Sequence, residues 1–146
     1  MSIEAGVHER IIIMIDSPQT VTQTENEAIR QVALDYIEGW YTVNPDRMER
    51  ALHPDLAKRI VFPATTADGH DQLSHMGAMA LVQRTRSGIG LTSEDKQQKD
   101  VTILDRYENA ASVKIVANGW IDYLHVAKFN GKWVIVNVLW ELKPKK

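Results

Sequence analysis

The chain has no cysteine. Disulfides, thiolate metal sites and cysteine nucleophiles are excluded together, and a reducing compartment fits that absence. A basic surplus is also missing. Seventeen Lys and Arg stand against 19 Asp and Glu, for a formal net charge of −2, so nucleic-acid binding, which needs cations to neutralise phosphates, is not expected. Long hydrophobic runs are absent too. The apolar run near the start is "IIIMI", Ile11 to Ile15, far too short to span a bilayer. Glu4 and Glu9 precede it, where a signal peptide would be positive. The expectation is a soluble, cytoplasmic protein with no membrane partner. There is no internal repeat, no phosphate-cradling glycine loop and no Gly-x-Ser-x-Gly elbow. Five histidines are scattered without a pair at i, i+4 on a helix, so neither a metal nor a cofactor is expected.

What is present is one domain's worth of chain. Its 146 residues, 44% hydrophobic and 25% charged, can bury a respectable core. Residues 1–23 read as an arm or short strand ("RIIIMI") followed by a polar connection, and residues 24–146 as a single domain. A capping box, Thr24 with Glu27, opens the first strong helix. Ile29, Val32, Ala33, Tyr36, Ile37 and Trp40 recur on one stripe behind it. Asn44-Pro45 starts a short second helix that His53-Pro54 should end. "AKRIVFPA" predicts a short strand. A third helix is predicted from Asp71 to Ser87 on a stripe of Leu73, Met76, Gly77, Ala80 and Leu81, closed by Gly88.

From Val101 the helical period gives way to four strands separated by "EN", "NG" and "NG", and Asn-Gly is the strongest short-range hairpin signal. Two-residue turns at 118–119 and 130–131 fix the register. One face then holds Val113, Ile115, Ala117, Trp120, Asp122, Leu124, Val126, Trp133, Ile135, Asn137 and Leu139. The other holds Ser112, Lys114, His125, Val134, Val136, Val138 and Trp140, among others. The first face has the more apolar centre and is expected under the helices, with Asp122 pointing inward. A bulged turn would reverse that assignment.

The strings "ALDYIEGWYTVNPDRMERALHPDLAKR" and "WIDYLHVAKFNGKWVIVNVLW", with Asp122-Tyr123 and Gly131-Lys132-Trp133 inside the second, resemble the NTF2-like superfamily over about residues 24–142. Within it they are similar to the SnoaL-like proteins and the branch called "putative lumazine-binding". The resemblance implies an α+β, cystatin-like cone. In it a curved antiparallel sheet wraps around about three N-terminal helices, a pocket opens at the wide end, and homodimers are frequent. It does not imply one function.

Asp122 is the sharpest candidate residue. In an apolar cone its carboxyl would have a raised pKa suited to a general base or acid. A structural aspartate paired with an arginine or with backbone amides is the alternative. His53, at a helix end, is either a proton relay or a histidine interacting with the helix dipole. Arg84 continues the third helix's stripe, where it would meet a ligand anion, pair with Asp122 or snorkel to solvent, and Arg59 stands beside "RIVF" in a similar role. Tyr36, Trp40 and Trp120 are expected to line a cavity or fill the core. Asn137 lies near Asp122 in this register. His75 and His125 are read as outward. Three functions follow. The leading one is binding of a small, largely apolar molecule. A second is a cofactor-independent isomerase, dehydratase or cyclase with Asp122 as base. The third is a dimeric interaction module with a filled cone. A homodimer is expected through the outer face carrying Val134, Val136, Val138 and Trp140.

Overall fold

The computed structural model describes residues 18–145, with side chains from Thr22 onward. The expected arm or strand over residues 1–17 lies outside the described residues. Helix α1 spans Pro18–Tyr41 and α2 Pro45–Ala51; strands β1 (Leu52–Phe62) and β2 (Gln72–Gly77) follow, then α3 (Ala78–Arg86). Strands β3 (Asp100–Tyr107), β4 (Ala110–Val116), β5 (Trp120–Phe129) and β6 (Lys132–Leu142) complete one sheet of order β2-β1-β6-β5-β4-β3. The pairings are antiparallel except β1 with β6, so the sheet is mixed rather than wholly antiparallel. The architecture is the expected α+β cone, with helices covering one face of the sheet. No helix among the described residues is long and apolar enough to cross a membrane.

The stripe on α1 does what its spacing demands. Ile29, Ala33, Tyr36 and Ile37 are buried against the sheet, while Val32 and Trp40 are partly buried beside them. The helix starts at Pro18 rather than Thr24, so the Thr24/Glu27 pair lies inside it rather than at its start. Proline at the first helical position is the start signal that applies. The second helix begins as expected, with the Asn44 side chain accepting the Arg47 amide at 3.0 Å. Arg47 then reaches back to Asp35 and Glu38 of α1, and Lys99 joins Glu38 from the approach to β3.

The helix expected over 71–87 is half strand. Gln72–Gly77 pairs with Ala57–Phe62 of β1, and only Ala78–Arg86 is helical. Its buried residues are Ala78, Leu81, Val82 and Thr85; Leu73 and Ala80 of the expected stripe are exposed. Gly88 ends the helix at φ 83°, as its position implied.

The two Asn-Gly turns differ. Asn130 and Gly131 both take positive φ (51° and 81°), as a type I′ turn requires. Asn118-Gly119 does not. The Asn118 amide donates to the Tyr41 hydroxyl, and its side-chain oxygen accepts from the Gln98 amide, so tertiary contacts set its shape. The β4–β5 register is nonetheless the expected one, with Ile115 opposite Asp122.

Between β5 and β6 the register holds from the turn to Val126↔Ile135 and then shifts, because Val136 is an extra residue in β6. Beyond it His125 opposes Asn137, Leu124 opposes Val138, and Asp122 opposes Trp140. Asn137 and Leu139 therefore leave the inner face, and Val138 and Trp140 take their places. The outer apolar set offered as a dimer face loses Val138 and Trp140, keeps Val136 and the buried Val134, and gains exposed Leu139. Strand β3 carries a similar irregularity at Leu104.

The bulge sets an expectation that a bulge-free hairpin reverses. Val138→Ala should lower unfolding free energy by about 2 kcal/mol through loss of a buried side chain. Leu139→Ala should change it by less than about 0.5 kcal/mol. Urea unfolding of the two variants measures both.

Candidate functional site

The sheet curves around α1 without filling the space beside it, and a cavity of about 200 Å³ remains. Helix α1 gives it Tyr36 and Trp40, one turn apart on the buried stripe; Met48 comes from α2, Leu81 and Arg84 from α3. The sheet gives Lys58, Met76, Trp120 and Trp140. Arg84 is exposed and stands where the lining reaches solvent. Gly90, in the loop after α3, lies against Trp40; a Cβ there would overlap the indole.

The polar groups meet at one wall. The Lys58 ammonium donates to the Tyr36 hydroxyl at 2.6 Å and sits 5.1 Å from the centroids of both the Tyr36 and Trp140 rings. Asp122, fully buried, lies behind this wall and does not line the cavity. Its Oδ2 accepts from Trp120 Nε1 at 2.8 Å. Oδ1 has no hydrogen bond of good geometry, although the Tyr36 hydroxyl is near enough to affect the carboxyl. No ion pair within 4.0 Å joins Asp122 to Lys58 among the described residues.

Burial raises the Asp122 pKa above its ordinary 3.8, against the charge of Lys58, the hydrogen bond from Trp120 and the neighbouring Tyr36 hydroxyl. Burial likewise lowers Lys58 from 10.5, with the Asp122 charge opposing it. Tyr36 is pushed well above 10.0 by burial and then by Asp122. Burial thus draws acid and base both toward their neutral forms.

A family described as "putative lumazine-binding" matches residues 24–141. The chain belongs to that family. Solved structures described as NTF2-like share its fold. An NTF2-like protein of unknown function from Shewanella baltica OS155 is 21% identical over 84% of this chain and 96% of its own, with a TM-score of 0.66. One from Silicibacter pomeroyi DSS-3 is 13% identical over 84% and 98%, with a TM-score of 0.68. A protein called a putative scytalone dehydratase from Novosphingobium aromaticivorans DSM 12444 is 16% identical over 84% and 87%, at 0.55. No functionally curated protein matches the chain.

Of the residues singled out in the sequence, Tyr36, Trp40, Arg84 and Trp120 meet at the cavity, and Asp122 lies behind it. His53 does not reach it. Its ring packs 4.8 Å from Phe129, and its Nδ1 accepts the Asp55 amide at 2.9 Å. Arg59 and Asn137 are on the outer face, bonded to each other at 3.3 Å, with Asn137 also 3.3 Å from His125 Nδ1. The bulge at Val136 is the physical reason Asn137 is not beside Asp122. Nor does an arginine pair with Asp122 among the described residues. Lys58, missed in favour of Arg59, had a legible signal: it lies between buried Leu56 and Ile60 at alternating positions of β1. Trp140 had none without the bulge.

Two expectations follow for this family member. Gly90→Ala should displace Trp40, lower stability by about 1–3 kcal/mol and shift tryptophan emission; unfolding followed by fluorescence reads both. Asp122→Asn removes an acid whose native pKa lies above its unfolded one. Below 3.8 both states hold the proton and the acid costs nothing. As pH rises from 3.8 toward the native pKa, the unfolded state ionises first and the wild type loses stability. The stability advantage of Asp122→Asn should therefore grow with pH over that window; a flat difference in denaturation across it would contradict the buried, raised acid.

Proposed function

We propose that the protein binds a small, largely apolar ring compound in this cavity, with a hydrogen-bond acceptor on the ligand directed at Lys58. One observation carries the reading. A lysine ammonium has three donors, and Lys58 uses one of them on Tyr36 while facing an aromatic cavity. Apolar lining with a single convergent polar cluster is what small-molecule sites have in common. Engineered apolar cavities of about 150 Å³ take up benzene, so a volume of about 200 Å³ suits one ring or two fused rings. The family description names lumazine, a fused two-ring compound with ring carbonyls, and such a molecule belongs in the first panel. An open cavity argues against the solidly packed cone of a pure interaction module.

Proton transfer on the bound ligand is the second reading, favoured by the proximity of Tyr36 to both Lys58 and Asp122. Asp122 would act through Tyr36 rather than touch the ligand, which alters the isomerase, dehydratase or cyclase scheme drawn from the sequence. Self-association through Val134, Val136 and Leu139 is compatible with either reading, and sedimentation tests it.

Tryptophan fluorescence is the direct assay, because Trp40, Trp120 and Trp140 all line the site. Lumazine, 2-naphthol and naphthalene are suitable probes. Lys58→Met should weaken lumazine and naphthol about tenfold or more, the loss of a charged hydrogen bond of about 1.5–3 kcal/mol, and leave naphthalene unchanged. Failure of every probe to saturate at millimolar concentration, or equal affinities in the variant, would refute the reading.

A further inference from the structure

We propose that Lys58 captures small aldehydes and ketones in the cavity as a reversible imine. This rests on the reading that the cavity takes a small apolar ligand, and it names the ligand's reactive class.

A lysine becomes a carbonyl-capturing nucleophile when its amine is kept unprotonated, exposed to substrate and served by a proton-transfer partner. Position gives Lys58 the access and the partner, and burial shifts it toward the free amine. Its Nζ is on the cavity wall, flanked by the faces of Tyr36 and Trp140. No carboxylate lies within 4.0 Å of it among the described residues, whereas Lys99 and Lys128 are held as ammonium ions by Glu38 and Glu25 at 2.7 and 3.0 Å. Apolar surroundings favour its neutral form, and its pKa is lowered accordingly. The groups facing it are Tyr36 from α1, Asp122 from β5 and, at the rim, Arg84 from α3. Trp120 Nε1 occupies Asp122 Oδ2, and Oδ1 has no hydrogen-bond partner behind Tyr36.

The chemistry balances without a co-reactant. The Nζ lone pair adds to the carbonyl carbon, and the carbonyl π pair moves to oxygen, which takes a proton. The carbinolamine then expels that oxygen as water. Both hydrogens of the neutral amine leave in the water, and a C=N bond replaces C=O. The Tyr36 hydroxyl, 2.6 Å from Nζ, relays each amine proton to the former carbonyl oxygen: its oxygen takes the proton from nitrogen as its own hydrogen passes to that oxygen, once on addition and once on dehydration. Aromatic walls exclude bulk water that would reverse the step, and the ring of an aryl aldehyde fits their faces.

The test is reductive trapping of the full-length protein with benzaldehyde and sodium cyanoborohydride at neutral pH, followed by intact mass and peptide mapping. Lys58 should acquire one benzyl group before any exposed lysine does, because its surroundings shift it toward the free amine. Excess benzyl alcohol, which fits the same space and forms no imine, should suppress that label alone. Lys58→Arg, which keeps the cation, should lose the fast label while circular dichroism confirms the fold. Labelling spread evenly over the lysines, or sparing Lys58, overturns the proposal. Benzyl alcohol binding read by tryptophan fluorescence separates the two levels. Binding without trapping refutes the imine and leaves the ligand reading standing; no binding and no trapping refutes both.

Discussion

Val136 has no partner of its own across the β5–β6 ladder, and most of what distinguishes this cone follows from that one insertion. Because side chains alternate along a strand, an unpaired residue exchanges the two faces for everything beyond it. Val138 becomes a fully buried core residue between Leu124 and Lys58. Trp140 turns inward opposite Asp122 and supplies the aromatic face over the Lys58 ammonium. The same exchange sends Asn137 outward to Arg59 and His125. The inner wall of the cavity and the polar row on the outer face are two results of one backbone irregularity.

Placing an amine and a carboxyl inside a family fold that is otherwise apolar is costly unless their charges are satisfied or surrendered. Here neither group has a full set of partners. Lys58 has one hydroxyl and two aromatic faces, Asp122 one indole N–H. The indole is itself a wall of the cavity, so the carboxyl orients the lining even though it does not face the space. Tyr41 does comparable work at the far end of α1. Its hydroxyl donates to the Gln98 carbonyl and accepts the Asn118 amide, and its ring lies 6.2 Å from that of Trp120. The helix stripe thus positions the site twice, at Tyr36 through the polar cluster and at Tyr41 through the hairpin turn.

The helix stripe, the Asn44-Pro45 start and the inward turn of Asp122 were legible because each depends on local spacing or on a register set by a nearby turn. Val138 and Trp140 were not, since nothing in "KWVIVNVLWEL" marks Val136 as unpaired: apolar residues occupy both faces of that strand and the alternation carries no phase. The segment 71–77 misled for a related reason. As an edge strand it is mostly exposed, so it shows no strand-like burial pattern, and Leu73, Met76 and Leu81 happen to fall at helical spacing. Lys58 was readable from alternation in β1, but a charged residue beside Arg59 drew the eye to the wrong face.

The irregularity at Leu104 has a meaning of its own. β3 is one border of the sheet, and there the strand is interrupted and carries Asp100, Asp105 and Arg106. The opposite border, β2, is six residues long and followed at once by α3. Unpaired amides along a straight, apolar border would invite another chain to add itself as a further strand. Among the described residues one border is bent and charged and the other is too brief to offer much of a ladder, so neither presents a long straight edge to a further strand, although Leu104 and Tyr107 are exposed.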